Sequence, residues 1–293
     1  MKAAPFEYSR PVDVAEACAL LAAEDNARVI AGGQTLVPMM AMRLARPTRL
    51  VDVAHIPDLA FIRDDGDALT IGAATKQCAA EHSPLLRDRL PLVARAIPWI
   101  GHTATRARGT VGGSIAHADP AAELPLIALT LDATLSYRGA DDLGDIPAAE
   151  FFIGPTLTTL PAGALLTSVR FPVWSGRVGT AFHEVNARRS DFAFAAAAVQ
   201  IELAADGTCA RIALGIGGVS DIPVRLDEAE EALIDTPLEP VAVREIVRGA
   251  LTGVECLDDL HASAEYRRRA ALTLVLRALA DAKSDAQGQS HAQ

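Results

Sequence analysis

The amino-acid sequence predicts an α+β protein in which two small N-terminal lobes precede a C-terminal antiparallel sheet with a layer of helices. Short β-like runs alternate with helical patterns over the first 53 residues, which is typical of a small α/β lobe. Shorter helices and strands continue to about residue 175, and beyond it three strands precede three helices, an α+β order. With 293 residues, 50% of them hydrophobic, the chain is long enough for two or three units with substantial cores.

The first lobe is predicted to run strand, helix, strand, helix, strand. Its first helix shows apolar residues at helical spacing, and Asp13 stands where a helix cap is expected. The predicted elements are the strand Phe6–Ser9, the helix Val12–Ala23, the strand Arg28–Ala31, the helix Leu36–Leu44 and the strand Leu50–Val53.

Short apolar runs bounded by turn residues predict the remaining elements. In the second lobe these are the strands Asp67–Gly72, Ala133–Tyr137 and Leu165–Phe171, and short helices around Leu86–Ala96 and Glu123–Leu131. Beyond it they are the strands Val178–Val185, Val199–Leu203 and Ala210–Ile216, and the helices Asp227–Leu233, Pro240–Leu251 and Ala262–Ala280.

The turn residues Pro172–Gly176 indicate a domain boundary, because they separate two well-patterned strands. The predicted domains are residues 1–56 as lobe 1, residues 57–175 as lobe 2 and residues 176–285 as a C-terminal α+β domain. From Asp281 onward the composition is polar and typical of a frayed end, and residues 286–293 are predicted to form a flexible tail.

Composition excludes several classes of function. A formal net charge of −10 argues against binding to nucleic acid or to an anionic membrane. The longest apolar run, Phe192–Val199, is far too short to span a bilayer, and no secretory signal precedes the first strand, so a cytoplasmic location is expected. The four cysteines lack the spacing of an iron–sulfur or zinc site, so no metal is expected in this chain.

Two glycine pairs in similar contexts are the most informative motif. The first lies in Ala31–Thr35 and the second in Thr110–Ser114, each followed by a helical or turn-rich stretch. Glycine allows tight turns and close approach of backbone N–H groups to a ligand, and a helix start favours an anion. Neither segment fits the Rossmann or P-loop pattern. One such pair is usually a plain turn, but two could hold a diphosphate between them, which favours a dinucleotide.

These segments and the strings around them resemble the FAD-binding medium subunit of the molybdenum hydroxylases, the family of carbon monoxide dehydrogenase medium subunits and xanthine dehydrogenase flavin domains. The resemblance implies a two-lobed FAD-binding fold of the vanillyl-alcohol-oxidase/PCMH type. The chain departs from the family at Ser190, where glycine is usual. The matching strings are Ala31–Leu36, Arg43–Pro47, Leu50–Val53, Thr110–Pro125, Phe151–Thr156, Leu165–Pro172 and Ala187–Ala193.

By this resemblance FAD lies between the two N-terminal lobes, with its pyrophosphate held by both glycine segments, mostly through backbone N–H groups. Asp119 and Glu123 match positions near the ribityl chain and the adenosine, although Asp119 could also cap a helix that begins at Pro120. Leu165 and Phe192 match contacts to the isoalloxazine ring. The flavin carries the redox chemistry, so no catalytic side chain is expected. The implied cofactor-binding residues are Ala31, Gly32, Gly33, Gln34, Thr35, Leu36, Thr110, Gly112, Gly113, Ser114, Ala116, Asp119, Glu123, Leu165 and Phe192.

The resemblance also implies a function within a complex. An oxidoreductase subunit of this family accepts electrons from the [2Fe-2S] clusters of a small subunit and passes them to a quinone, NAD or O2. A large molybdopterin subunit hydroxylates the substrate, and the whole is an (αβγ)2 assembly. Two other functions remain open from the sequence: a self-contained FAD-dependent oxidase or dehydrogenase, and a non-catalytic nucleotide-binding structural subunit.

Overall fold

A computed structural model describes residues 2–288, and lobe 1 contains the predicted order of strands and helices. Its three strands form a parallel sheet in which the last strand of the lobe lies between the first two. The elements are β1 (Glu7–Ser9), α1 (Val14–Ala22), β2 (Ala27–Ile30), α2 (Leu36–Ala41) and β3 (Arg49–Asp52).

Helix α1 begins at the predicted cap. The Asp13 carboxylate accepts a hydrogen bond of 2.8 Å from the backbone N–H of Glu16, which satisfies one of the free donors of the first turn. The helix buries Ala17, Cys18 and Leu21 in the core of lobe 1. The predicted cap and the predicted helical periodicity are therefore both confirmed.

Lobe 2 is built on a five-stranded antiparallel sheet. Its elements are β4 (Ile62–Asp64), β5 (Ala68–Gly72), α3 (Gln77–Glu81), α4 (Pro84–Arg89), α5 (Pro91–Ala96), α6 (Thr103–Arg108), α7 (Val111–His117), α8 (Glu123–Thr130), β6 (Thr134–Arg138), β7 (Leu143–Pro147), α9 (Ala148–Phe151), β8 (Phe152–Gly154), β9 (Leu157–Thr158) and β10 (Leu165–Pro172). The strand order is β4-β5-β10-β6-β7, and β8 pairs with β9 in a separate hairpin.

The helical segment predicted around Leu86–Ala96 is divided between α4 and α5. Leu90 has φ −132° and ψ 62°, and Pro91 opens the second helix at a position where its missing N–H is not needed. Strand β7 was not predicted, because its side chains alternate between exposed and half-buried and include few apolar residues.

The C-terminal unit is a four-stranded antiparallel sheet followed by three helices. Its elements are β11 (Arg177–Asn186), β12 (Ala193–Leu203), β13 (Cys209–Gly217), β14 (Val224–Arg225), α10 (Asp227–Leu233), α11 (Pro240–Ala250) and α12 (Ala264–Ala286). The predicted α+β class is confirmed. The domain limits at residues 56 and 175 stay a prediction.

The C-terminal sheet is buried on both faces. Phe182, Ala196 and Ala198 belong to the core of lobe 2, whereas Ala195 and Ala197 belong to the core formed with the C-terminal helices. A strand buried on both faces has no polar side to alternate with, so it reads as a continuous apolar run. The prediction that this strand begins at Val199 was therefore wrong, since β12 begins at Ala193.

Helix α12 continues past the predicted end at Ala280, and the prediction of a frayed end from Asp281 was wrong. The Asp281 carboxylate lies 2.7 Å from His183 Nε2, and Asp285 accepts a 2.9 Å hydrogen bond from the N–H of Thr180. Asp285 also pairs with Arg95 of lobe 2 at 2.8 Å. These polar residues dock the end of the helix on the sheet. Of the predicted flexible tail, residues 289–293 lie outside the described residues.

The contact between lobe 2 and the C-terminal sheet yields a stability prediction. The ring of Phe182, 6% exposed, lies 6.0 Å from the ring of Trp99 between centroids. We expect Phe182→Ala to lower the free energy of unfolding by about 3–5 kcal/mol through the cavity it leaves. Phe6→Ala, at a ring 42% exposed, is the matched control and should cost less than about 1 kcal/mol. Chemical denaturation measures both, and equal losses would contradict the assigned contact.

Candidate functional site

The first glycine segment lies at the carboxyl edge of the lobe 1 sheet. Ala31 directly follows β2, and Asp52 ends the neighbouring strand β3. In open sheets with parallel strands, ligands bind at this edge. A cleft of about 480 Å³ opens here, lined by Tyr8, Ile30, Ala31, Gly32, Gly33, Gln34, Val37, Pro38, Asp52 and Arg108.

The backbone of the first glycine segment turns at Gly33. Its φ of +69° lies in the left-handed region that favours glycine, and its carbonyl accepts a 3.2 Å hydrogen bond from the N–H of Val37 at the start of α2. The Gln34 side chain folds back and donates to the Gly32 carbonyl at 3.1 Å. The turn at Gly33 and the start of α2 are therefore formed without hydrogen bonds from the backbone N–H groups of the first glycine segment.

Four successive backbone N–H groups at this edge have no acceptor. Those of Gly32, Gly33, Gln34 and Thr35 donate no hydrogen bond to any of residues 2–288. Backbone donors are normally paired, with protein or with something outside it, and successive free amides in a turn form an anion-binding concavity. The first glycine segment therefore offers a row of donors to an anion in the cleft.

The two lobes meet at Gly32. A Cβ atom on this residue would lie 2.5 Å from the carbonyl oxygen of Arg108 and 2.7 Å from the Cα of Gly109, so no side chain fits. Lys76 donates to the same Arg108 carbonyl at 3.0 Å and holds it in place. The structure thus brings the first glycine segment against the residues that lead directly into the second.

The second glycine pair is the first turn of helix α7 rather than a tight turn before a helix. Thr110 caps this helix by accepting a 3.1 Å hydrogen bond from the N–H of Gly113, and neither glycine has a positive φ. A Cβ on Gly112 would lie 2.4 Å from the Cβ of Ala73. Gly112 therefore allows the helix to pack closely on the end of β5.

The backbone donors of this second segment are already used inside the protein. The N–H groups of Val111 and Gly112 donate to the carbonyls of Thr75 and Ala73, and that of Ser114 donates to the carbonyl of Thr110. What the segment presents to a ligand is the partly exposed Ser114 hydroxyl and the bare surface of Gly113. Free backbone donors are therefore concentrated in the first segment.

Three polar residues of the cleft, Tyr8, Asp52 and Arg108, were not predicted as site residues from the sequence. Tyr8 donates through its hydroxyl to Asp52 Oδ2, and this hydrogen bond raises the pKa of the tyrosine. Arg108 lines the opposite wall. Asp52 could have been found as the polar residue that ends a buried strand in Leu50–Val53, whereas nothing local marks Tyr8 or Arg108.

Asp119 lies in the turn between α7 and α8. Its Oδ1 accepts a 2.9 Å hydrogen bond from the N–H of Ala121, and helix α8 begins at Glu123 after Ala122. The alternative that Asp119 caps a helix beginning at Pro120 was therefore wrong. Ala116 is half-buried on the last turn of α7, next to this turn.

Glu123 and Glu184 are two buried carboxyl groups at the boundary of lobe 2 and the C-terminal sheet. Each is 8% exposed. Burial raises the pKa of Glu123 to about 7, with Asp119 adding to the rise and Arg106 opposing it. Burial raises the pKa of Glu184 to about 8, and the nearby Glu123 raises it further, while Asn186 opposes the shift. Sequence reasoning found Glu123 and missed Glu184.

Leu165 and Phe192 lie in opposite environments. The Leu165 side chain is 4% exposed and packs in the core of lobe 1. It could contact an isoalloxazine ring only if the surrounding core residues moved apart. Phe192 is 72% exposed, after a short turn that joins β11 and β12. It is free to pack against a ligand or another chain.

Residues 2–288 contain no cluster of three or more potential metal ligands. Cys18, Cys78, Cys209 and Cys256 are all free thiols. Within the same residues, no helix has both the length and the apolar character needed to cross a membrane.

Comparison with known proteins adds independent findings. A family model described as the FAD binding domain in molybdopterin dehydrogenase matches residues 4–174, and one described as the CO dehydrogenase flavoprotein C-terminal domain matches residues 180–282. The 6-hydroxypseudooxynicotine dehydrogenase complex subunit alpha of Paenarthrobacter nicotinovorans is 36% identical, with 96% of each chain covered.

Two further similarities involve carbon monoxide dehydrogenases. The medium chain from Afipia carboxidovorans is 34% identical over 96% of this chain and 98% of its own length. A solved structure of the Hydrogenophaga pseudoflava enzyme, lacking the Mo-pyranopterin moiety, matches with a TM-score of 0.94 and 34% identity, over 97% of this chain and 99% of that one.

The two buried carboxyl groups yield a prediction for stability against pH. Burial raises the pKa of Glu123 from 4.5 to about 7 and that of Glu184 from 4.5 to about 8. Between the unfolded value of 4.5 and these raised values, the folded chain therefore binds more protons than the unfolded chain. Their stabilisation is complete below about pH 4.5 and is lost as the pH rises through 7 to 8. The free energy of unfolding of the cofactor-free protein should fall by at least about 1 kcal/mol from pH 5 to pH 8.

Glu184→Gln should flatten this slope, because the amide does not titrate. Glu245→Gln, at an exposed residue of α11 paired with Arg248, is the control and should leave the slope unchanged. Urea denaturation at several pH values measures the effect. Parallel profiles for the wild type and Glu184→Gln would rule out a titrating Glu184.

Proposed function

Because this chain belongs to the family of FAD-binding domains in molybdopterin dehydrogenases, we propose that it is an electron-transfer subunit that receives electrons from the [2Fe-2S] clusters of a small subunit. The chain is an oxidoreductase component and its cofactor is FAD. It passes the electrons to an external acceptor of the quinone, NAD or O2 type. The observation that carries this proposal is the row of unpaired N–H groups at Gly32–Thr35, set at the junction of two lobes.

The residues of the cleft fit a flavin dinucleotide. A diphosphate needs several donors and a backbone without obstructing side chains, and the first glycine segment supplies both. Arg108 adds positive charge from lobe 2. The Asp52 carboxylate and the apolar Val37 and Pro38 suit a sugar and a base.

Each side chain of the site acts on binding and orientation. The N–H groups of the first glycine segment would hold phosphate oxygens, and Lys76 would keep the Arg108 carbonyl and the lobe junction in place. Asp119 and Glu123 would accept hydrogen bonds from hydroxyl groups of the dinucleotide. FAD when bound supplies the one- and two-electron redox chemistry, so the chain needs no acid or base of its own.

The substrate of the complex would be transformed elsewhere. The chain spans 96% of the Paenarthrobacter nicotinovorans relative, which is named as one subunit of a complex. A large molybdopterin subunit and a small iron–sulfur subunit would complete an (αβγ)2 assembly. Leu44 and Phe192, 71% and 72% exposed, are apolar surfaces that such partners would cover.

The glycine segment yields a binding prediction. Val at Gly33 would have to adopt a positive φ, and its Cβ would lie 3.2 Å from Val37 Cγ2. We expect Gly33→Val to weaken FAD binding by at least about 100-fold, which is about 2.7 kcal/mol. Titration of the apoprotein with FAD, followed by flavin fluorescence, measures the dissociation constant, and acid precipitation of the wild type should release the flavin as intact FAD.

Gly66→Val is the matched control for this experiment. Gly66 also has a positive φ, +89°, but a Cβ on this residue would have no atom within 4 Å, and the residue is remote from the cleft. This variant should bind FAD as the wild type does, while circular dichroism shows both variants to be folded. Normal FAD affinity in Gly33→Val would mean that the segment is an ordinary turn.

The assignment as a subunit yields a second prediction. The isolated chain should not oxidise an organic substrate at a rate above background. Purified from its host, it should carry a small cysteine-rich subunit and a large molybdopterin subunit, through interfaces above roughly 1,000 Å². Turnover of a small metabolite by the isolated chain at several per second would instead identify a self-contained flavin enzyme.

A further inference from the structure

The connection between α2 and β3 carries a surface that is both basic and apolar. Met42 is 50% exposed and Leu44 is 71% exposed, and the side chains of Arg43 and Arg46 are exposed beside them. Residues 42–48 include no Asp or Glu, although the formal net charge of the chain is −10. We call Met42, Arg43, Leu44 and Arg46 the basic–apolar patch.

Both arginines of the patch are held at Nε and leave their outer nitrogens free. Arg43 Nε donates to the Lys2 carbonyl at 3.3 Å, and Arg46 Nε donates to the Arg43 carbonyl at 3.2 Å. In the described part of the chain neither guanidinium group pairs with a carboxylate, whereas the nearby Arg49 pairs with Glu24 at 2.9 Å. The free N–H groups of each arginine are therefore available to a carboxylate of another chain, in the two-donor geometry that guanidinium groups favour.

The backbone at Arg43 favours glycine. Helix α2 ends in a Schellman motif, in which the N–H of Arg43 donates to the Met40 carbonyl at 3.0 Å and the N–H of Leu44 donates to the Met39 carbonyl at 2.9 Å. The residue after the C-cap is left-handed in this motif, and Arg43 has a φ of +60°. A side chain at this position costs folding free energy, so a contact of the guanidinium group explains the arginine better than the fold does.

The composition of the patch suits a protein partner. None of its four residues lines the cleft at the first glycine segment, and the net charge of −10 opposes binding to nucleic acid or to an anionic membrane. Met and Arg are enriched in protein interfaces, and Arg is frequent among the residues whose truncation costs most affinity. The patch therefore matches a partner whose acidic groups surround an apolar pocket.

The location of the patch selects between the two partner subunits of the proposed assembly. It lies shortly after Val37 and Pro38, which line the cleft that suits the diphosphate and the base of the dinucleotide. A subunit that delivers electrons has to approach the redox-active ring, which is at the other end of the dinucleotide. The patch therefore faces the subunit that does not deliver electrons to the flavin.

We propose that the basic–apolar patch is the docking site for the large molybdopterin subunit. Arg43 and Arg46 pair with carboxylates of that subunit, and Leu44 enters an apolar pocket between them. The inference rests on the proposed function, because the large subunit is part of it. It makes lobe 1 the part of the chain that anchors it in the complex.

The first test uses the purified complex and Arg43→Gly, which removes the guanidinium group but suits the backbone. Because glycine adopts a positive φ freely, the isolated variant should unfold at about the same urea concentration as the wild type. Its complex should have a dissociation constant about 10-fold higher, measured by mass photometry on dilution. Asp235→Gly is the matched control, because Asp235 is exposed, has a φ of +60° and lies in the C-terminal unit. It should assemble as the wild type does.

The second test introduces a carboxylate into the patch. Leu44→Asp should raise the dissociation constant of the complex by about 100-fold, because the new charge would face the acidic groups of the partner. Leu260→Asp, at a fully exposed leucine between α11 and α12, is the control and should leave assembly unchanged. A photo-crosslinking amino acid in place of Leu44 should label the large subunit in the complex.

Equal dissociation constants for the wild type, Arg43→Gly and Leu44→Asp would overturn the proposal while leaving the proposed function intact. A crosslink from position 44 to the small subunit or to a second copy of the chain would also overturn it. So would a loss of assembly that follows a loss of stability in the isolated variants. A wild-type chain that purifies from its host without a large subunit would refute the proposed function itself, so the two failures are distinguishable.

Discussion

The structure depends on one close backbone approach, that of Gly32 to Arg108 and Gly109. No Cβ fits between these backbones, so the two lobes meet at a distance that only glycine allows. Because lobe 1 uses Gln34 and the Gly33 carbonyl to shape its turn, the amide hydrogens of the segment remain unpaired at this junction. The conformation of the first glycine segment thus has two results. It lets the two lobes pack closely, and it leaves backbone N–H groups available to an anion.

The double burial of the C-terminal sheet is the second organising feature. Its alanine-rich strands let lobe 2 pack on one face and α12 on the other, with Asp285 joining β11 and Arg95 across the edge. Small side chains keep both layers close. In this setting an acidic residue on the lobe 2 face is exceptional, and Glu184 differs from Thr180 and Phe182, which precede it on the same face of β11.

Much of this architecture could be predicted from the sequence. The order of elements in lobe 1 and the Asp13 cap follow from local periodicity and capping chemistry, which act over a few residues. The beginning of β12 could not be predicted, because burial on both faces removes the alternation of polar and apolar residues. The end of α12 could not be predicted either, because its polar residues find partners on the sheet. The need for glycine at Gly112 likewise comes from its close contact with Ala73, a residue distant in the chain.

The position of Glu184 has a consequence for the order in which the chain folds. A chain that leaves the ribosome from its N-terminus completes both lobes before the C-terminal sheet exists. Before the sheet forms, Glu123 lacks the second carboxyl group that β11 brings near it. Docking of the sheet buries Glu184 close enough to Glu123 for their charges to interact, and burial raises the pKa of both groups. Docking of the C-terminal sheet is therefore coupled to proton binding by these two carboxyl groups.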